Sequence, residues 1–351
     1  MLVALDLTGD VISYAYCEGN EIVSEKLNNT MGFRTKDLFL IDGLISGLLG
    51  VTKTMIECTG ITITETIIAL PAYCSYAERD RLKRIAAECG IKIRSLIRGS
   101  FALALQMFQQ LQPEEKKALL CSVHSDYTEF LLFQVGGDVV RVQGSAILTY
   151  DKGACAENPA GMKQRVLAEL KALYGELGLS FEDKEEDIYI TSEEKDSSDR
   201  ETFAFIMESV YNKKAVHFPG DTAKGAFYHL MKLMDFGTGL IRKCFSVDCS
   251  TEGISISSGV TGELKEVFRR NSELPAKKEM EMWCSRDNVL CFYAGNYMTR
   301  ENDDPIGTCR IPEAYRGQNV YLKITLTEDG IVEYVVLDAK RQIIYPRQVL
   351  H

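Results

Sequence analysis

Apolar and polar positions follow two different periods along this chain, and the places where the period changes mark its elements. The pattern is clearest between residues 67 and 107. The run Thr66-Ile67-Ile68-Ala69-Leu70 is short, β-branched and apolar, and it stops at Pro71, as a central strand buried on both faces does. Ala77, Leu82, Ile85, Ala86 and Cys89 then recur at three- and four-residue spacing, while Glu78, Arg79, Asp80, Lys83 and Arg84 take the opposite side. That spacing predicts an amphipathic helix. Ser75, with Glu78 three residues on, supplies an N-cap, and Gly90 supplies the stop. A second short strand and an Ala/Leu-rich helix complete the unit.

Ahead of this unit, residues 2–6 predict a buried strand, and residues 11–17 and 21–27 a meander closed by Glu18-Gly19-Asn20. Residues 37–60 predict one helix with Leu38, Ile41, Leu44, Ile45, Leu48, Leu49 and Met55 on its apolar side. Behind it, Pro113-Glu114-Glu115-Lys116-Lys117 forms a solvated charged turn. Strands follow at 118–123, 129–135 and 139–147, with Gly136-Gly137-Asp138 as a hairpin turn. A helix at 160–177, a strand at 187–191 and a helix at 199–211 come next. From residue 235 the period shortens to alternation, punctuated by Gly259, Gly262, Gly295, Gly307, Gly317 and Gly330, which predicts a β-sandwich.

Composition narrows the classes. At 351 residues and 46% hydrophobic content the chain is long enough for two or three domains with their own cores. A net charge of −10 argues against a nucleic-acid surface, which needs clustered Lys and Arg to bind phosphates. The 11 cysteines are scattered and odd in number, with no C-x-x-C pair, so a metal site is not expected and a reducing cytoplasm is. The start, Met1-Leu2-Val3-Ala4-Leu5-Asp6, has no basic region of the kind a signal peptide carries, and no apolar run approaches the ~20 residues that span a bilayer. His124, His217, His229 and His351 stand apart from one another. Residues 182–187 and 193–199 read as solvated acidic loops, and Trp283 as core or cleft rim.

Several stretches carry a family resemblance. Leu70-Pro71-Ala72-Tyr73-Cys74 and Ile97-Arg98-Gly99-Ser100-Phe101-Ala102-Leu103-Ala104-Leu105 are similar to two segments of the seventy-kilodalton heat-shock chaperones, the DnaK-type family, where a strand ends in VPAYF and a second runs into INEPTAAALAY. Residues 219–226 resemble that family's Asp-Glu-Ala-Val-Ala-x-Gly-Ala helix. Residues 267–278 resemble its LIPRNTTIPTKK, and Arg316-Gly317 with residues 320–332 its RG…IEVTFDIDANGI. The resemblance implies an α/β actin-like ATPase core, a duplicated ribonuclease H-like fold lacking the family's inserted subdomains, followed by an all-β sandwich. Its lobes would be 1–113 and 114–235, with a linker at 236–250 and a substrate-binding β-domain at 251–351.

The resemblance also maps a nucleotide site. Asp6-Leu7-Thr8-Gly9-Asp10 falls where the family has Asp-Leu-Gly-Thr-Thr, so Asp6, Thr8, Gly9 and Asp10 are expected to form a degenerate phosphate loop, with Asp10 repelling a phosphate. The second loop is Ser122-Val123-His124-Ser125-Asp126-Tyr127-Thr128-Glu129, without the glycines that wrap the β- and γ-phosphates. Ser192-Glu193-Glu194-Lys195-Asp196 replaces the adenosine-holding Gly-Gly-Ser-Thr-Arg, and Gly99 replaces a glutamate. Removing one such stabiliser can cost ~10²-fold in rate, so turnover is expected to be lost or severely impaired. No cofactor is expected; ATP with magnesium is what the family would bring.

In the sandwich, the resemblance maps a peptide pocket onto Val260, Met282 and Leu290, with Glu263 placing a charge on an apolar wall. The linker Phe245-Ser246-Val247-Asp248-Cys249 keeps an aspartate and loses most leucines, so ATP-driven coupling is expected to be weakened. The function implied is binding of an unfolded peptide or a protein partner, with no nucleic acid and no membrane. The competing classes are a divergent ATP-binding chaperone or ATPase and an actin-like structural scaffold. The client and the oligomeric state stay open.

Overall fold

The computed structural model describes residues 1–9, 11–27, 42–110, 116–151, 154–192, 198–234, 245–259, 262–285, 287–295 and 305–350. The chain divides into two compact units, residues 1–74 with 83–248, and residues 75–82 with 249–351. The first is mixed α/β and the second is rich in strands.

The first series of elements opens with β1 (Leu2–Asp6), β2 (Ser13–Glu18) and β3 (Glu21–Lys26), and continues through α1 (Asp42–Cys58), β4 (Glu65–Leu70), α2 (Tyr76–Glu88), of which residues 76–82 count with the second unit, β5 (Ile93–Arg98) and α3 (Gly99–Gln110). The elements are those the period changes predict, and their ends are set by local chemistry. Ser75 and Glu78 form a capping box: the Ser75 backbone N donates to Glu78 Oε2 at 2.7 Å, and the Glu78 backbone N donates to Ser75 Oγ at 3.3 Å. Gly90 ends the helix at φ +70°, its N–H bonded to Ala87 O, while Ile91 N donates to Ala86 O. Residues 37–41 of the helix expected at 37–60 lie outside the described residues.

A second series follows: β6 (Lys116–Val123), β7 (Tyr127–Gly136), β8 (Val139–Thr149), α4 (Ala154–Glu157), α5 (Pro159–Glu176), β9 (Asp187–Ser192), α6 (Ser198–Tyr211), β10 (Val216–His217) and α7 (Thr222–Leu233). Lys116 and Lys117, expected in a charged turn, begin β6, and the rest of that turn up to residue 115 lies outside the described residues.

The two series share one topology. The first sheet has the order β3-β2-β1-β4-β5, and the second runs β8-β7-β6-β9-β10, with one further strand beyond β8. In each, the opening three strands form an antiparallel meander, and the fourth and fifth lie parallel to the first. Parallel strands need helical crossovers, which α2 supplies between β4 and β5, and α6 between β9 and β10.

The closing helices of the two series, α3 and α7, pack on each other and on the opposite sheets: α7 on β1, β2 and β4, and α3 on β6, β7 and β8. Their backbones touch at Gly225, where an added Cβ would stand 2.0 Å from Ala102 O. Only glycine permits that approach. Asp221 caps α7, accepting from the Lys224 backbone N at 3.0 Å and from Ser24 Oγ at 3.2 Å.

The strand beyond β8 is β11 (Phe245–Val247), which lies parallel to it. These residues were expected in a linker at 236–250; residues 235–244 lie outside the described residues, and 245–247 belong to the sheet. The next residue, Asp248, accepts from Arg98 at the end of β5, Nε to Oδ2 at 3.1 Å and Nη2 to Oδ1. Arg98 also donates from Nη1 to Glu129 Oε1 at 3.1 Å and to Ser145 Oγ at 2.7 Å.

The second unit contains two antiparallel four-stranded sheets. One has the order β13-β12-β15-β16, from β12 (Ile254–Ser258), β13 (Lys265–Phe268), β15 (Val289–Ala294) and β16 (Gly307–Arg310). The other has the order β14-β17-β18-β19, from β14 (Ala276–Trp283), β17 (Asn319–Leu326), β18 (Val332–Leu337) and β19 (Ile343–Val349). Alternate residues of both, among them Ile254, Ile256, Leu290 and Phe292 from one and Met282, Leu322, Ile324 and Val336 from the other, fill one shared core. Trp283 is not in it: at the end of β14 it is 57% exposed. Among the described residues no helix is long and apolar enough to cross a membrane.

Candidate functional site

Strand β1 carries Asp6 to its C-terminal end, where the chain turns. The Asp6 carboxylate is taken up by its own loop and by the neighbouring strand. Oδ1 accepts from the Thr8 backbone N at 2.9 Å and from Thr8 Oγ1 at 2.6 Å, while Oδ2 accepts from Ser13 Oγ at 3.3 Å. This is an Asx-type closure in which the side chain stabilises the turn that follows it. Thr8 is 4% exposed, and its γ-methyl fills the space in front of Gly99: a Cβ added there would lie 2.3 Å from Thr8 Cγ2. Gly9 is half-buried beside it. Asp10 lies outside the described residues.

The second loop joins β6 to β7 and comes to the same place. Its turn is closed by the His124 backbone N donating to Tyr127 O at 2.9 Å. Tyr127 is 2% exposed and stands between the two loops, its hydroxyl 3.5 Å from Thr8 O. The His124 ring stacks flat on it with centroids 4.2 Å apart, and the Tyr73 ring meets it edge-on at 5.1 Å. His124 Nε2 lies 3.0 Å from Ser122 Oγ. A serine-histidine contact of this kind invites comparison with a hydrolase, but Ser122 is only 2% exposed.

Beneath the second loop sits the Arg98 cluster. The Arg98 and Glu129 side chains are 1% and 2% exposed. Burial pushes the Glu129 carboxyl above its ordinary value, and the Arg98 guanidinium works against that shift. One buried guanidinium shared by two carboxylates ties β5, β7 and the residue after β11 together.

The remaining expected site residues lie elsewhere. Ser192 ends β9, and residues 193–196 are outside the described residues. Met282 and Leu290, 2% and 0% exposed, are core side chains of the second unit; Glu263 is exposed and Val260 is outside the described residues. Of the acidic run 182–187, expected to be solvated throughout, Glu186 is 5% exposed and accepts from the Tyr174 hydroxyl at 2.6 Å. Among the described residues no group of three or more His, Cys, Asp or Glu is placed to hold a metal ion.

Sequence patterns alone did not single out Tyr73 or Arg98 for a role. Arg98 carried one signal, a cation closing an apolar strand, which has to be paired if it is buried. No protein-family model matches the chain, and no curated protein matches it in sequence.

Proposed function

We propose that the chain is a DnaK-type relative with a trimmed actin-like core, one that has lost ATP turnover and acts by binding a peptide or protein partner. The repeated strand order of the first unit supports the duplicated ribonuclease H-like reading, since two sheets of one topology closed by helices that pack on each other describe that architecture.

The observation that carries the loss of turnover is the filling of the space between the two loops. The Thr8 methyl takes the room of any side chain at position 99, Tyr127 and His124 stand where glycines would leave backbone open to phosphate, and Asp6 is engaged by Thr8 and Ser13. These residues do not fit a magnesium-nucleotide. A phosphate there would have to displace two stacked rings and break the turn that Asp6 closes.

The test is titration calorimetry and thermal unfolding of the full chain with Mg-ATP and Mg-ADP. No heat and no change in melting at millimolar nucleotide is the expected result. Ligand at a hundred times Kd would add about 2.7 kcal/mol of stability, so a melting shift of that order would restore the divergent-ATPase reading.

A further inference from the structure

Strand β14 lies at the edge of its sheet, with β17 on one side and, among the described residues, no strand paired on the other. The register fixes which of its backbone groups are free. Trp283 lies opposite Asn319; one residue on, the Cys284 backbone N donates to Gln318 O at 2.9 Å, and Cys284 O accepts from the Gly317 backbone N at 3.1 Å. Backbone groups alternate in direction along a strand, so those of Met282, Met280 and Lys278 face β17, and those of Lys277, Glu279 and Glu281 face outward. The next outward carbonyl, that of Trp283, accepts from Ser258 Oγ at 2.5 Å, which agrees with this alternation and ends the open edge.

Lys277, Glu279 and Glu281 are exposed and share the solvent face of the sheet. Lys277 makes no ion pair or hydrogen bond through its side chain among the described residues. Glu281 accepts from Asn319 Nδ2 at 2.5 Å and from the Tyr321 hydroxyl at 3.2 Å, both neutral donors that leave its charge in place. Glu279 is flanked by two cations, Arg341 and Lys323, the latter at 3.9 Å.

We propose that β14 pairs with the β14 of a second copy of this chain, antiparallel about a two-fold axis at Glu279. Only one antiparallel register bonds all three outward residues: Glu279 faces Glu279, and Lys277 of each copy faces Glu281 of the other. Opposite charges set directly across a sheet stabilise the pairing. The Glu279 pair at the axis is the like-charged contact, and each member keeps its own Arg341 and Lys323. Edge strands ordinarily carry charge to prevent pairing, and they succeed where like charges meet. The neighbouring registers are of that kind. A shift of two residues one way sets Glu279 against Glu281; the other way it sets Lys278 against Lys278 and leaves Glu281 facing Pro275, which has no N–H to give. The result is an isologous dimer with one continuous sheet, built from the four strands of each copy. It needs only strands of the second unit, and holds whether or not the first unit binds nucleotide.

Sedimentation equilibrium of the full chain over a wide range of concentration tests it. The expected result is a weak dimer, its average mass rising with concentration from one chain to two, since about six main-chain hydrogen bonds hold the strands together. Lys277→Glu places like charges opposite each other at both ends and should weaken association at least about tenfold, and Glu281→Lys should do the same. Mixing these two variants sets opposite charges together again at both ends and should restore association as a mixed dimer. Should Glu281→Lys lose the fold with its bonds to Asn319 and Tyr321, Lys277→Glu alone serves, because the Lys277 side chain has no bond to lose. A chain that stays monomeric overturns the proposal and leaves the edge to a strand of another protein. A dimer that the charge reversals leave unchanged overturns it too, since the copies then meet elsewhere.

Discussion

Thr8 and Gly99 are complementary across the first unit: the γ-methyl of one occupies the volume into which a Cβ of the other would project, 2.3 Å away. Thr8 belongs to the turn after β1 and Gly99 opens α3, so the contact joins two elements far apart in sequence. Gly99→Ala should therefore destabilise by about 1–3 kcal/mol through overpacking. The same change on a Thr8→Ala background should cost much less, with a coupling of about 1 kcal/mol or more in a double-mutant cycle followed by urea unfolding. Additive effects would show that the two side chains do not compete for space.

The Arg98 cluster predicts an asymmetry. Arg98→Met leaves the buried Glu129 and the partly buried Asp248 without their shared cation, and should cost about 3–5 kcal/mol. Glu129→Gln leaves Arg98 paired with Asp248, and should cost far less. Denaturant midpoints at one pH distinguish the two, and equal losses would mean that the cluster is not organised around the guanidinium.

Glu129 also sets a pH dependence. Its carboxyl in the folded chain titrates above the ordinary 4.5, because burial penalises the charged form. A group whose pKa is higher folded than unfolded binds protons preferentially in the folded state, so its contribution is complete below the unfolded value and is lost as pH rises through the folded one. Wild-type melting should thus fall relative to Glu129→Gln as pH is raised from below 4.5, and the gap should close on acidification. A difference that stays constant with pH would place the titration elsewhere.

Tyr127 seals the two loops together without restoring anything when it is removed. Tyr127→Ala should cost about 3–5 kcal/mol as a large buried ring is lost. Because Asp6 and Thr8 keep each other occupied, that variant should still show no melting shift with Mg-ATP. A shift in the variant alone would identify the ring as the one obstacle to nucleotide.

At α7, Asp221→Ala removes a cap that accepts from the Lys224 backbone N and from Ser24 Oγ. The expected loss is about 1 kcal/mol, most of it regained by Asp221→Asn, since both residues cap a helix well.

Elements with a strong local signature were legible in the sequence. Ser75, Glu78 and Gly90 fix the ends of α2 through contacts within a few residues, and the β-branched run before Pro71 needs no distant partner to be recognised. Strands β10 and β11 were not, because two or three residues carry no period and their pairing is decided by β9 and β8. In the candidate site, the sequence showed a second loop without glycine. It did not show that Tyr127 would meet Thr8, or that Arg98 would find Asp248 150 positions away, because such pairings are made by topology and not by spacing. Glu186 illustrates the same limit: charge pattern marks an acidic run as solvated, while Tyr174 and the fold bury one member of it.

The exchange of closing helices between the two sheets has a consequence for synthesis. The first sheet is written by residue 98, but α7, which covers β1, β2 and β4, ends at Leu233. At about 5–20 residues per second, the ribosome takes roughly 7 to 27 seconds to make the stretch from the end of β5 to the end of that helix. Through that interval an apolar sheet waits without its cover on a growing chain. The nascent first half is therefore the stage at which this protein is most exposed to misassociation, and slowing elongation between residues 98 and 233 should lower its soluble yield.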